Sequence, residues 1–509
     1  VTVLLSGEPI AIHDVVAVAR DNAQVEIAPG VVEAVAVTRA HVEALLQQPD
    51  PVYGISTGFG ALATRMIPPE RRSDLQRAVL RSHAAGMGPR VETEVVRAMM
   101  LLRARTLATA RCGVRPLVIE QLVALLNAGI TPVVPEHGSL GCSGDLAPLS
   151  HVGLALMGEG TVEYRGAVVD AATALSAQTI TPLDPQAKEG LSLINGTDGM
   201  LGMLLLACHD ALQLLRTADI AAAASIEALL GTDRPFAEDL QALRPQPGQA
   251  ASAANLRALL RNSPIVASHR EGDPRVQDAY SLRCHPQVAG AARDTLAFAT
   301  DVATRESASA IDNPVVLPDG RVESCGNFHG APLAYACDFL AIALADVSSI
   351  AERRIDRHLD STRSHGLPPF LADDPGVDSG MMIAHYTAAA MVSDNKRLAV
   401  PASVDSIPTS AMQEDHVSMG WAAARKLRRV IDNTRRVVAV ELVTAARGLD
   451  LRAPLQPAPA TAAARSALRA RVEGAGPDRF VAAELAAATQ LVQDGTIVDA
   501  AEAVTGALG

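Results

Sequence analysis

The chain has 509 residues, a formal net charge of −12, 49% hydrophobic residues and only 3% aromatic residues. The acidic balance argues against phosphate-backbone binding as a main activity. A core confined to Ala, Leu, Val and Ile favours helix-on-helix packing over a β-sandwich, and the length admits about three domains. Six scattered cysteines (Cys112, Cys142, Cys208, Cys284, Cys325 and Cys337) show no paired CxxC spacing, so neither a disulfide framework nor a structural zinc site is expected. The first 20 residues lack a basic start followed by an apolar core, and the longest apolar runs, such as Met200–Cys208, are read as stopping short of a membrane span. A cytoplasmic protein without nucleic-acid or membrane partners is expected.

In chain order, residues 1–50 read as short alternating and helical pieces. A Gly-rich loop, Tyr53-Gly54-Ile55-Ser56-Thr57-Gly58-Phe59-Gly60, follows Pro51. Gly58 to Ala63 formally fits a dinucleotide fingerprint, but no strand leads into it and no βαβ pattern surrounds it, so NAD is not expected. Residues 70–130 read as helices ending at Gly129, and residues 162–169 as a hairpin turning at Arg165-Gly166. Four long helical patterns follow, over roughly 199–231, 287–311, 331–362 and 410–447. Residues 452–465, rich in Pro and Ala, read as a linker or surface loop, and the last 45 residues as helical. The expected fold is mainly α: a bundle of long helices (199–450), a smaller N-terminal α-rich region carrying loops and few short strands (1–198), and a C-terminal helical segment (451–509).

The chemistry concentrates in seven short segments. The first is Gly138-Ser139-Leu140-Gly141-Cys142-Ser143-Gly144-Asp145-Leu146-Ala147-Pro148-Leu149-Ser150-His151. Gly144 has no Cβ, so its nitrogen can approach the Cys142 carbonyl and close a five-membered ring. Loss of water from that ring, and of the Ser143 hydroxyl as a second water, leaves a methylidene conjugated to an imidazolone, a strong electrophile made from protein alone. The same residues also suit a helix start, with Ser143 or Asp145 as the cap. Tyr53, on its glycine loop, is either a packing residue or a base that takes a proton from carbon. His83 closes a helical pattern in Ser82-His83-Ala84-Ala85-Gly86. Asn195-Gly196 follows an apolar run and reads as a turn or cap. Gln277, Tyr280 and Arg283 are spaced i, i+3, i+6 and could share a helical face, where an arginine fork suits a carboxylate. Phe328 lies in Gly326-Asn327-Phe328-His329. Glu414 lies in Gln413-Glu414-Asp415-His416, downstream of Ser410-x-x-Gln413, which reads as a capping box.

In chain order, from residue 51 to about 420, the segments resemble those of the aromatic amino acid ammonia-lyases, and most closely the histidine-specific branch. That branch usually carries Ala-Ser-Gly, and in some bacterial members Cys-Ser-Gly, where this chain has Cys142-Ser143-Gly144. The resemblance implies autocatalytic cyclisation of these three residues to 4-methylidene-imidazol-5-one (MIO). It implies Tyr53 as base, although Ser56 stands where an Asn is common. It further implies Arg283 on the substrate carboxylate, His83 and Glu414 on an imidazole, Asn195, Gln277 and Tyr280 around the electrophile, and Phe328 lining the pocket. The implied reaction is elimination of ammonia from L-histidine to trans-urocanate, the first step of histidine degradation, in a homotetramer whose active sites combine three chains. A tyrosine or phenylalanine ammonia-lyase, or an aminomutase, is the alternative within the family; a helical scaffold whose loop never cyclises is the alternative outside it. Pyridoxal phosphate is not expected, because Lys188, Lys396 and Lys426 all lie outside glycine-rich loops. No metal is expected: Cys284 and His285 are adjacent and cannot readily face one ion.

Overall fold

The computed structural model describes residues 2–48 and 52–509. It is mainly helical, with nine short strands in four small sheets among the described residues. The chain divides into two compact units, one of Val1–His209, Ala299–Cys337 and Pro401–Arg425, the other of Asp210–Phe298, Asp338–Val400 and Lys426–Gly509.

In the first unit, strand Thr2–Leu5 pairs in parallel with Gln24–Ile27. The helix Thr93–Ala108 is buried on nearly every side, as expected of a core helix. Its three buried arginines each donate to main-chain carbonyls: Arg97 Nε reaches Val18 O at 3.0 Å, Arg103 Nη2 reaches Ile311 O at 2.8 Å, and Arg105 Nη2 reaches Ala308 O at 2.9 Å, while Arg103 also pairs with Asp198 at 3.2 Å. The expected hairpin is formed by Thr161–Tyr164 and Ala167–Asp170, with positive φ at both Arg165 and Gly166 matching the twist of a two-residue turn.

The long helices are Asp198–Ala228, His285–Ser307, Ala331–Leu359 and Gly420–Leu451. The first three follow the sequence expectation within a few residues. The fourth starts at Gly420 rather than at 410, and the expected capping box is not formed. Ser410, Ala411 and Met412 instead adopt consecutive left-handed conformations, with φ of 53°, 51° and 68°. The Thr409 N–H and side chain both turn to Glu414, the hydroxyl donating to Oε2 at 3.0 Å. The polar side chains of this stretch therefore satisfy a tight loop instead of a helix start.

Two other readings change. Pro459 opens a helix, Pro459–Arg469, so much of the expected linker is helical; proline at the first helical position loses no needed N–H. Two helical stretches, Glu189–Ala228 and Ala331–Leu359, are long and apolar enough to cross a membrane by length and composition, where none was expected. The apolar window of the first is entirely buried, the environment of a core helix.

In the second unit, a buried charge network joins helices far apart in sequence. Asp219 accepts from Ser252 Oγ (2.7 Å), Asn255 Nδ2 (2.7 Å) and Arg293 Nη2 (2.8 Å), and pairs with His285 Nε2 (2.8 Å). Arg354 lies 3.1 Å from the other His285 nitrogen, pairs with Glu441, and donates to Ser281 O at 3.2 Å. The short helix Tyr280–Arg283 is thus anchored from below by buried, partnered charge.

Candidate active site

The loop before helix Leu146–Leu156 is held at almost every residue. Met419 N donates to Leu140 O at 2.8 Å, and Ser418 Oγ donates to Gly141 O at 2.7 Å. Asp145 N donates to Gly196 O at 2.7 Å. Gly144 has φ +74°, and a Cβ there would fall inside the van der Waals envelope of the Gly196 peptide. Glycine is therefore required at 144 both for conformation and for space.

Asp145 stands at the N-cap position, but its side chain makes no cap bond. It is fully buried, accepting from Ser139 Oγ at 2.8 Å and from Met200 N at 2.9 Å. The side chain thus ties the loop to the start of helix Asp198–Ala228. Burial pushes its pKa up to about 7, against the lowering effect of the Met200 and Ser139 bonds. The unfolded chain releases this proton near 3.8 and the folded chain near 7, so between these values only the folded state holds it. Stability contributed here is present at low pH and declines as pH rises through that window. Asp145→Asn, whose Oδ1 can still accept from Met200 N while its Nδ2 donates to Ser139 Oγ, should abolish that decline. Urea midpoints at pH 5 and pH 8 should differ less in the variant, by an effect of at most a few kcal/mol.

Ser143 is half-buried and donates to Asn195 Oδ1 at 2.7 Å. Asn195 ends the short buried helix Glu189–Ile194 and donates through Nδ2 to Asn313 O at 2.9 Å. Its amide is therefore fixed with the oxygen toward Ser143. Cys142 is buried, and its thiol is pushed up to about 12, first by desolvation and then by the Glu414 carboxylate. A thiol held that firmly in its neutral form is a poor nucleophile. Glu414 also acts on His83, at the end of helix Arg72–His83. Burial lowers the His83 pKa, while a bond to the Val79 carbonyl and the charge of Glu414 oppose the shift.

Tyr53 is half-buried, and its phenolic oxygen accepts from Gly60 N at 3.2 Å. The turn Gly60–Leu62 packs on the left-handed turn Ser410–Met412, which brings the Tyr53 and Glu414 loops side by side. Phe328 is half-buried in a segment fixed at both ends: Asn313 Oδ1 accepts from Ser324 Oγ (2.9 Å) and Cys325 N (3.0 Å), and Gly330 N donates to Gly141 O (3.3 Å). Within the first unit, then, Tyr53, His83, Cys142, Ser143, Gly144, Asn195, Phe328 and Glu414 sit on segments bonded or packed to one another. A cavity of about 750 Å³ opens beside Glu306, Asn327 and His329.

Gln277, Tyr280 and Arg283 belong to the second unit. The expected common helical face holds for two of them: helix Tyr280–Arg283 stacks the Arg283 guanidinium 4.7 Å from the Tyr280 ring centre, with Tyr280 exposed. Gln277 precedes the helix, in irregular chain, and is exposed. Among the described residues no cluster of His, Cys, Asp and Glu could hold a metal ion. Asn313 and the buried Asp145 carboxylate escaped the sequence reading; the Asn-Pro dipeptide at 313–314 marks a turn but not what its carbonyl holds.

The same architecture is found in solved ammonia-lyases and aminomutases. A tyrosine aminomutase from Streptomyces globisporus superposes with a TM-score of 0.94 at 38% identity, covering 100% of both chains. A histidine ammonia-lyase from Trypanosoma cruzi does so with a TM-score of 0.92 at 37% identity, covering 99% of this chain and 96% of that one. In sequence, a histidine ammonia-lyase from Streptomyces avermitilis is 63% identical over 509 residues, covering 100% of this chain and 99% of the relative. The full-length relatives and the helical fold together mark the chain as a carbon–nitrogen lyase. The family profile of the aromatic amino acid lyases matches residues 10–470, and the chain belongs to that family.

Proposed function

We propose that the protein is a histidine ammonia-lyase, converting L-histidine to trans-urocanate and ammonia. The observation that carries this reading is the position of Glu414. Its carboxylate is held by the Thr409 hydroxyl at 3.0 Å, beside the turn that packs on the Tyr53 loop, and its charge reaches both His83 and Cys142. A carboxylate can hold a protonatable imidazole ring and offers a phenyl ring nothing.

The loop fits an MIO group formed from Cys142, Ser143 and Gly144. Residue 144 has no room for a Cβ, the flanking carbonyls of Leu140 and Gly141 are tethered, and the Ser143 hydroxyl is held by Asn195. When formed, the group supplies an electrophile that makes ammonia a better leaving group. The chain's own residues do the rest. Tyr53 removes a proton from Cβ, Arg283 fixes the substrate carboxylate, and His83 and Glu414 hold the imidazole. Asn195, Gln277 and Tyr280 surround the electrophile, and Phe328 closes the pocket wall. The protein acts as a homotetramer whose active sites combine residues of three chains, in the cytoplasm, at the first step of histidine degradation. No metal, pyridoxal phosphate or nicotinamide cofactor is needed for these roles.

An aminomutase is the second reading, favoured by the fold match to the tyrosine enzyme. The higher identity to a histidine ammonia-lyase supports the lyase. A panel of His, Phe and Tyr, followed by ultraviolet absorbance of the unsaturated acid and by detection of β-amino acid, separates the two. Histidine turnover without a β-amino acid is expected; turnover of tyrosine alone would overturn the reading. Glu414→Gln should cost histidine on the order of 100-fold in kcat/KM, the scale of a lost charge-assisted contact. Any residual phenylalanine turnover should change little, and equal losses would mean that Glu414 does not read the ring.

A further inference from the structure

One buried cluster is assigned no part in the reaction above. Lys188 and Asp312 have no exposed side-chain area and pair at 2.6 Å between Nζ and Oδ2. Ser192 Oγ lies 2.9 Å from Lys188 Nζ, 2.8 Å from Asp312 Oδ2 and 3.1 Å from the Cys112 carbonyl. A buried ion pair is an expensive way to fill a core, since apolar residues of similar volume often do so at no loss of stability. The backbone adds to the cost. Lys188 has φ +74°, a conformation for which glycine is the default choice. What the position presents to the core is the ammonium, held by Asp312 and Ser192.

The consequence of the pair lies one residue away. The other Asp312 oxygen, Oδ1, accepts from Asn313 N at 2.8 Å, so the carboxylate grips the peptide that leads into Asn313. The Asn313 carbonyl then takes the Asn195 amide at 2.9 Å, and the Asn195 oxygen takes the Ser143 hydroxyl at 2.7 Å. The pair also closes on the Asn195 side, because Lys188 and Ser192 flank and belong to the helix that ends at Asn195. Both partners of the Asn195–Asn313 bond are thereby fixed by one ion pair. We propose that Lys188–Asp312 is the positioning element that sets the Asn195 amide against Ser143, for loop cyclisation and for the substrate amine; this rests on the reading given under Proposed function. Lys188 and Asp312 act through Asn313 and Asn195 and touch no reacting atom.

The test compares wild type, the double variant Lys188→Met/Asp312→Asn, Ser192→Ala and Lys188→Arg. The double variant removes both charges together and orphans neither; Ser192→Ala loosens the cluster without touching the charges. Helicity and melting establish folding, intact mass of freshly expressed protein follows the loss of two waters, and steady-state kinetics separate kcat from KM. The folded double variant should lose its two waters more slowly than wild type. Its kcat should fall by on the order of 10- to 100-fold, the scale of a small misplacement of a reacting group, with KM within about threefold. Ser192→Ala should fall between it and wild type, and Lys188→Arg should retain more kcat than the double variant. Folded Ser192→Ala and double variants with wild-type kcat and wild-type water loss would overturn the proposal. If the double variant does not fold, a wild-type result for Ser192→Ala alone overturns it. Wild-type protein that neither loses two waters nor turns over an amino acid instead overturns the reading beneath it.

Discussion

Ser143→Ala should leave a folded chain that has not lost two waters and turns over histidine at least about a thousandfold more slowly, more than about 4 kcal/mol of transition-state stabilisation. The fold should survive because Ser143 is half-buried and contributes one side-chain bond, to Asn195 Oδ1. Its removal leaves Asn195 still fixed through Nδ2 to Asn313, and the loop still fixed through Asp145, Ser418 and Met419. What disappears is the only hydroxyl whose loss can create the exocyclic methylidene. The loss of two waters and the turnover must therefore disappear together. Cys142→Ala is the contrasting variant: the native thiol is held neutral at about 12, and only the carbonyl carbon of residue 142 enters the ring. The Cys142→Ala protein should lose both waters and retain substantial turnover. If Ser143→Ala retained full turnover, the electrophile would have to come from elsewhere.

The contrast also indicates what a sequence can carry. Residues 142–144 are adjacent, so the chemistry proposed for them can be read as a string; the glycine loop at Tyr53 and the hairpin at Arg165-Gly166 are equally local. The positions of the long helices follow from apolar patterning that tertiary packing reinforces. What failed is where local rules compete. Ser410-x-x-Gln413 satisfies the pattern of a capping box, but Thr409 and Glu414 bond one another across a left-handed turn, and the helix waits until Gly420. Asp145 sits at a cap position, yet its carboxylate is recruited by Ser139 and Met200. The hold of Asn313 on Asn195 spans 118 residues, and nothing in either local string points to the other. Arg283 and Tyr280 lie between these extremes: their spacing correctly placed them on one helical turn, but that turn is too short to include Gln277.

Tyr53→Phe should lower kcat by about 10²- to 10⁴-fold, the contribution of a positioned general base, while KM changes by less than about threefold. The substitution deletes one oxygen. That oxygen accepts a single bond, from Gly60 N at 3.2 Å, in a loop also tied by Gly58 N to Arg65 O at 2.9 Å, Ile67 N to Ser56 O at 2.9 Å and Val52 N to Ser56 Oγ at 2.9 Å. The ring and the loop should therefore stay in place, and the substrate should still meet Arg283, His83 and Glu414. Ring formation in the 142–144 loop should also be unaffected, which intact mass checks independently of activity. The decisive measurement is the rate of exchange of the histidine β-proton with solvent deuterium. If Tyr53 is the base, exchange and elimination must decline together, because one oxygen serves both. A variant that raises KM and leaves kcat intact would make Tyr53 a binding residue. A variant that eliminates slowly but exchanges at the wild-type rate would place the base elsewhere in the site and leave Tyr53 acting after the proton has gone.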